Sequence, residues 1–232
     1  MKRTHDKLYL NDNEKIIKEV FVKVADELAL EPFETLADVG CAAGVFPNYL
    51  KFRFPKSKIV GIEYSKSLLS KAKKDFPEVE FYYGNAMDKN SIEKKFDVIT
   101  LLGVLCIFDD YKLVLDNIFS WLKPNGRLII HNMISEFNID VIIKYKPSSL
   151  EYDKQDLESG WNILSNKSLE SVVLNNNAKI VSSKPFYIKE KLKKQKDLLR
   201  SWTEKNLNNR NDIFNALHIR QPQRIVTIRK VK

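Results

Sequence analysis

The strongest constraint on the fold of this chain is a strict alternation between short apolar runs and longer amphipathic stretches. Apolar runs at 35–39, 58–63, 79–83, 96–102 and 127–132 are separated by helical patterns near 45–53, 66–75, 90–95 and 110–122. Strands spaced by helices of this length pair in parallel through right-handed crossovers, because only that hand packs the helix back onto the sheet. The turn Lys123-Pro124-Asn125-Gly126 closes the fourth of these helices and launches the fifth strand. Upstream, Ile16, Ile17, Val20, Phe21, Val24 and Leu28 recur every three or four positions behind the capping candidates Asn11 and Asp12. They predict an amphipathic helix over 12–29 whose apolar stripe needs a sheet or another helix to cover.

Beyond Asn132 the alternation stops, and residues 133–164, with Tyr145, Tyr152 and Trp161, read as an insertion. A helix at 166–176, a strand at 179–188, a basic helical stretch at 190–217 and a strand at 223–230 follow. The expectation is therefore an α/β fold with a doubly wound, seven-stranded, mostly parallel sheet. One domain over 1–232 is expected, with an N-terminal cap helix in 1–30, a core in 35–132 and added segments at 133–164 and 189–217.

Composition enters only to exclude. With 44% hydrophobic residues, 7 Gly and 8 Pro, the chain can build a core and has no fibrous or low-complexity bias. The longest nearly apolar run, Phe96 to Phe108, is broken by Asp97 and falls short of the roughly 20 residues a membrane helix needs. The charged first residues lack the apolar stretch of a secretory signal, so a cytoplasmic protein is expected, with Cys41 and Cys106 as reduced thiols. Net charge is +9, but residues 1–183 carry 25 basic and 26 acidic residues and 184–232 carry 14 and 4. All of the excess is in the last fifth, which favours an anionic partner there.

The segment Asp38-Val39-Gly40-Cys41-Ala42-Ala43-Gly44 leaves the first strand and opens a helix. Glycines let such a turn reverse sharply, and the helix N-terminus behind it presents free N–H groups. Ligand sites of doubly wound sheets lie at this end of the strands. Nineteen residues on, Glu63 ends the second strand, where a carboxylate can accept both hydroxyls of a ribose. Together the two features predict a bound nucleoside. A dinucleotide is disfavoured, because the turn reads D-x-G-x-x-x-G rather than G-x-G-x-x-G and Asp38 would repel a pyrophosphate.

From about Leu36 to Ile130 the chain resembles the class I S-adenosylmethionine-dependent methyltransferases of the small-molecule type. Asp38, Gly40 and Gly44 match that family's first motif, Glu63 its ribose-binding acid, and Gly84-Asn85-Ala86 the segment flanking the adenine. Phe96-Asp97-Val98-Ile99 to Leu105 and Leu122 to Leu128 match its fourth and fifth strands. Ala42 stands where the middle glycine is usual and Asn85 where an aspartate is usual. The resemblance implies a Rossmann-like fold, S-adenosyl-L-methionine as cofactor and S-adenosyl-L-homocysteine as product. It implies Asp38, Gly40, Cys41, Ala42, Gly44, Glu63, Tyr64, Asn85, Ala86 and Leu102 as cofactor-binding residues, and substrate lids at 133–164 and 189–217.

Transfer from a sulfonium needs an in-line acceptor, and a base only where the acceptor keeps its proton. His131, at the end of the fifth strand, is the catalytic candidate, with a structural histidine as the alternative; His5 and His218 lie elsewhere. Cation-binding relatives place acids and amides after strands four and five, where this chain has Leu102-Gly103 and His131-Asn132, so no metal is expected. The expected acceptor is an oxygen or nitrogen of a small, anionic metabolite, such as a sugar, a nucleotide-linked sugar or a glycan precursor. An RNA or protein acceptor, a nicotinamide-dependent oxidoreductase and a non-catalytic cofactor-binding protein are the alternatives.

Overall fold

The computed structural model describes residues 9–10, 18–146, 148, 157–194 and 199–231. The capping candidates Asn11 and Asp12, the residues Ile16 and Ile17, His5 and Tyr152 lie outside them. The strands are β1 (Thr35–Val39), β2 (Lys58–Glu63), β3 (Glu80–Tyr83), β4 (Phe96–Leu102), β5 (Leu122–Ser135), β6 (Lys144–Tyr145), β7 (Glu158–Ser159), β8 (Leu164–Ser165), β9 (Ala178–Pro185), β10 (Trp202–Lys205), β11 (Asn211–Phe214) and β12 (Gln223–Lys230). The helices are α1 (Glu19–Leu28), α2 (Val45–Arg53), α3 (Lys66–Asp75), α4 (Tyr111–Trp121) and α5 (Asn166–Asn175).

The principal sheet runs β3-β2-β1-β4-β5-β12-β9, with β8 pairing the far end of β5. The first five strands are parallel, and β12 runs antiparallel between β5 and β9. Strand order reverses between β1 and β4, so their carboxyl ends diverge and leave a crevice there. Alternate residues of β5 show why the sheet needs two covers. Leu128 and Ile130 face α4 and α5, packing with Val114, Ile118 and Leu169. Ile129 faces the other way, into Phe21, Val24 and Leu28 of α1 and Phe46 and Leu50 of α2. Strands buried on both sides read as continuous apolar runs, as these do.

Polar groups fix the frame. Arg127, 3% exposed, donates from Nη2 to Glu31 O at 2.6 Å and Leu28 O at 3.4 Å, satisfying carbonyls left open at the end of α1. Asp97 accepts from Thr35 N at 2.9 Å and from Lys123 Nζ at 2.9 Å, tying the starts of β1, β4 and β5 together.

Three expected elements differ. The helix expected at 90–95 is a single 3-10 turn, Lys89–Ser91, because so short a segment cannot repay helix nucleation. Lys123 to Gly126 lie inside β5, where Asn125 takes the left-handed backbone (φ 60) that a turn would have used. Among the described residues of the basic stretch 190–217 there is no helix: Trp202–Lys205 and Asn211–Phe214 pair as the antiparallel hairpin β10–β11. Asn206 drives this, accepting through Oδ1 from the N–H groups of Asn208 and Arg210 and so closing the turn. Asn211 then anchors the hairpin, its Nδ2 donating to the carbonyls of Ile188, Lys189 and Glu190 at 2.9–3.2 Å. The insertion carries the small β6–β7 pair and returns to the sheet through β8. No helix among the described residues is long and apolar enough to cross a membrane.

Candidate functional site

At the carboxyl end of β1 the chain turns through Gly40–Gly44 into α2. Gly40 and Gly44 hold φ of 75° and 83°, a region that penalises residues with a Cβ. Gly40 N and Cys41 N both donate to Ile62 O, at 2.8 and 3.2 Å, which moors the turn to β2. A Cβ on Gly40 would lie 2.6 Å from Val104 Cγ2, and one on Gly44 2.7 Å from Phe81 Cζ. What these glycines approach closely is therefore the protein's own side chains. Ala42 also has positive φ, 49°, and carries its Cβ at a steric cost of about 1 kcal/mol.

Glu63 grips the same turn. Its Oε2 accepts from Ala42 N at 2.9 Å and its Oε1 from Ser65 N at 2.7 Å. Both carboxylate oxygens thus tie the turn to the end of β2. Asp38, 3% exposed, lies behind it and accepts from Thr100 Oγ1 at 2.7 Å. Burial pushes its pKa up to about 7; the Thr100 hydrogen bond opposes this and the charge of Glu63 adds to it. Burial likewise raises the Cys41 thiol well above its ordinary value, so Cys41 packs with Leu69 and Phe81 as a small apolar group. The Glu63 carboxylate, with Asp38 behind it, suits a ligand carrying positive charge over a phosphate.

After β3, Asn85 Oδ1 accepts from Met87 N at 3.0 Å, and Ser91 Oγ bridges Asn85 N and O. The amide oxygen keeps one lone pair for an adenine amino group. Ala86 is buried, its carbonyl held by Asn117 Nδ2 at 2.9 Å. Tyr64 is 59% exposed with its ring 5.7 Å from that of Tyr83, which gives the ends of β2 and β3 an open aromatic surface. Leu102 ends β4, and beyond it Gly103 has φ 69 and nothing within 4 Å of the position a Cβ would take. That open space lies beside His131, whose carbonyl accepts from Gly103 N at 2.8 Å.

Part of His131 reaches the surface, but Nε2 is buried and has no hydrogen-bond partner among the described residues. The ring stands edge-on to Phe186 at 5.1 Å. Burial lowers its pKa to about 4, with the Lys18 charge adding to the effect, so the imidazole is neutral at pH 7. Asn132 on the opposite face uses its Oδ1 for Cys106 N at 3.0 Å. No group of three or more His, Cys, Asp or Glu among the described residues is arranged to hold a metal ion. His218, at φ 57, precedes β12, where its N–H donates to Asn215 O at 3.0 Å.

The structure thus gathers the expected residues from four strand ends around one crevice. Sequence reasoning missed Thr100 and Lys18. Thr100 pairs in register with Asp38, so a polar residue in the run Val98–Leu102 was the available signal.

A mostly parallel sheet in this strand order, with a glycine turn and a strand-end acid at its switch point, defines the class I S-adenosylmethionine-dependent methyltransferases. A family model described as a methyltransferase domain matches residues 31–226, and the chain belongs to that family. Over 174 residues it is 26% identical to malonyl-[acyl-carrier protein] O-methyltransferase 2 of Ilyobacter polytropus, covering 72% of this chain and 65% of that protein. Over 102 residues it is 31% identical to demethylmenaquinone methyltransferase of Oceanobacillus iheyensis, covering 41% and 43%. The matches thus span less than two thirds of these relatives' lengths. The solved structure of CalS10, an amino pentose methyltransferase of Micromonospora echinaspora with S-adenosylmethionine bound, shares the fold at a TM-score of 0.56 and 13% identity, covering 100% of this chain and 98% of that one. The cofactor of the family is S-adenosyl-L-methionine.

Proposed function

We propose that this protein transfers the methyl group of S-adenosyl-L-methionine to an oxygen or nitrogen of a small, anionic molecule. The observation that carries the reading is the Glu63 bracket, a strand-end carboxylate locked to the glycine turn through Ala42 N and Ser65 N. In this reading Glu63 holds the ribose. Asn85 and Ala86 flank the adenine, with Tyr64 against its face. Gly40, Cys41, Ala42 and Gly44 shape the turn around the amino-acid end, and Asp38 and Glu63 complement its positive charge. Leu102 borders the reacting methyl.

The cofactor supplies an electrophilic methyl on a sulfonium. A lone pair of the acceptor forms the new bond to carbon while the sulfur–carbon pair returns to sulfur, leaving adenosylhomocysteine and, for a hydroxyl acceptor, one proton. His131, neutral at pH 7, orients the attacking group, whose proton passes to water. An anionic acceptor is supported by the charge of 184–232 and by Lys18, which has no acidic partner among the described residues. The faces of Trp202 and Tyr187 already carry Lys194 and Arg210, each 4.8 Å from the ring centroid, so a partner meets charge there rather than stacking surface. That favours a small anion over RNA. The segments at 133–164 and 189–217 close over the acceptor in this reading.

Calorimetry with adenosylhomocysteine tests it. Glu63→Ala should weaken binding by about 1–3 kcal/mol, the loss when a buried polar partner is removed, and Glu63→Gln by less. Unchanged affinity in Glu63→Ala removes Glu63 from the site.

A further inference from the structure

Above the open space at Gly103 the protein presents a wall with little polarity. Cys106, Met133 and Ile163 form a buried cluster, with Ile107, Trp161 and Ile219 packed on it and partly exposed. The cluster touches the crevice directly, since Cys106 Sγ donates to Gly103 O at 3.3 Å. Met133 lies two residues beyond His131 on β5 and so faces the same side of the sheet.

Trp161 is held there against its own backbone preference. Its φ of 58° is a conformation that a residue with a large side chain adopts only where its surroundings enforce it. Asn162 is the enforcing neighbour and is wholly buried. Its N–H donates to Cys106 O at 2.8 Å, its Oδ1 accepts from Ile143 N at 2.8 Å, and its Nδ2 donates to Phe108 O at 3.1 Å. Tyr145 packs edge-on against the indole at 5.8 Å and donates its hydroxyl to the buried Glu158 at 3.0 Å. The insertion is thus laced to the segment after β4 so that one large aromatic residue is fixed over the carboxyl ends of β4 and β5.

Building on the methyltransferase reading, we infer that Trp161 and Met133 form the seat of the acceptor and that the acceptor is a flat, apolar-faced ring bearing, besides an anionic group, the hydroxyl or amine that is methylated. The ring lies against the indole and the thioether, both of which favour aromatic contact. A sugar is a poorer occupant, because Met133, Ile163, Ile107 and Ile219 return no hydrogen bonds to its many hydroxyls and each unpaired buried group is penalised.

The test titrates the adenosylhomocysteine-loaded protein by calorimetry with 3-hydroxy-2-naphthoate and salicylate as anionic ring probes and glucose 1-phosphate as the anionic sugar probe. The ring probes should bind and glucose 1-phosphate should not. Trp161→Ala should weaken the ring probes by about tenfold or more and Trp161→Phe by about threefold or less, with adenosylhomocysteine affinity unchanged in both, which also reports that both variants are folded. Glucose 1-phosphate binding in place of the rings, absence of binding by every probe, or ring binding indifferent to Trp161→Ala overturns the inference. Failure of the wild-type protein to bind adenosylhomocysteine instead defeats the methyltransferase reading, and this acceptor falls with it.

Discussion

Replacing Asp38 by Asn should make the protein more stable in alkali and leave it nearly unchanged in acid. Asp38 has its pKa raised to about 7 chiefly by burial, against about 3.9 for an unfolded aspartate. The fold therefore prefers the protonated carboxyl. Its favourable contribution is complete below pH about 4 and is lost as pH rises through about 7. A difference of about 3 units at 1.36 kcal/mol each corresponds to about 4 kcal/mol between pH 4 and pH 9. Asn keeps the size of the group and an oxygen that can accept from Thr100 Oγ1, and it does not ionise. Urea unfolding of both proteins at pH 4.5, 6, 7.5 and 9 gives a difference curve in which the other titrating groups cancel. That curve should climb in favour of Asp38→Asn by several kcal/mol as pH rises from about 4 to about 7, and level off above that. Parallel curves would show that Asp38 is ionised at little cost in the folded protein and would refute the reasoning. The same substitution should weaken S-adenosylmethionine, whose positive charge favours the ionised acid.

Two further outcomes follow from the site. Ala42→Gly, which removes a Cβ from a backbone at φ 49°, should raise unfolding stability by about 1 kcal/mol by urea denaturation, and a loss of stability would mean that the turn is not strained there. His131 titrates near pH 4 in the fold and near 6.5 when unfolded, so wild-type stability should fall as pH drops through that window; His131→Leu should flatten the fall in acid unfolding curves while leaving adenosylhomocysteine binding intact.

The sheet was legible because its signal is repeated. Five apolar runs separated by helices specify a parallel arrangement even where a boundary moves by a residue, as it does at Glu80. The crevice was legible for a related reason, since glycines at positive φ and a strand-terminal acid are local features with a direct conformational meaning. What stayed hidden depends on contacts distant in sequence. Arg127 reads as an ordinary strand residue until the end of α1, some 96 residues away, supplies the carbonyl of Glu31. The hairpin β10–β11 was obscured by lysines that favour helices in isolation, whereas Asn206 and Asn211 decide the outcome through backbone hydrogen bonds. Trp161 could not be distinguished from a core residue, because its backbone angle is set by Asn162 and the segment after β4.

The place of β12 bears on how the molecule is made. It is the last strand in the sequence, yet it sits inside the sheet, paired from Gln223 to Arg229 with β5 and from Arg224 to Lys230 with β9. A ribosome delivers residues in order, so β5 must wait with one edge bare while about ninety more residues emerge. During those seconds, at roughly 5–20 residues per second, β9 has nothing to join and the bare edge of β5 can recruit a second nascent chain. Closing the sheet thus waits on β12, and losing that strand would cost the molecule two strand pairings at once.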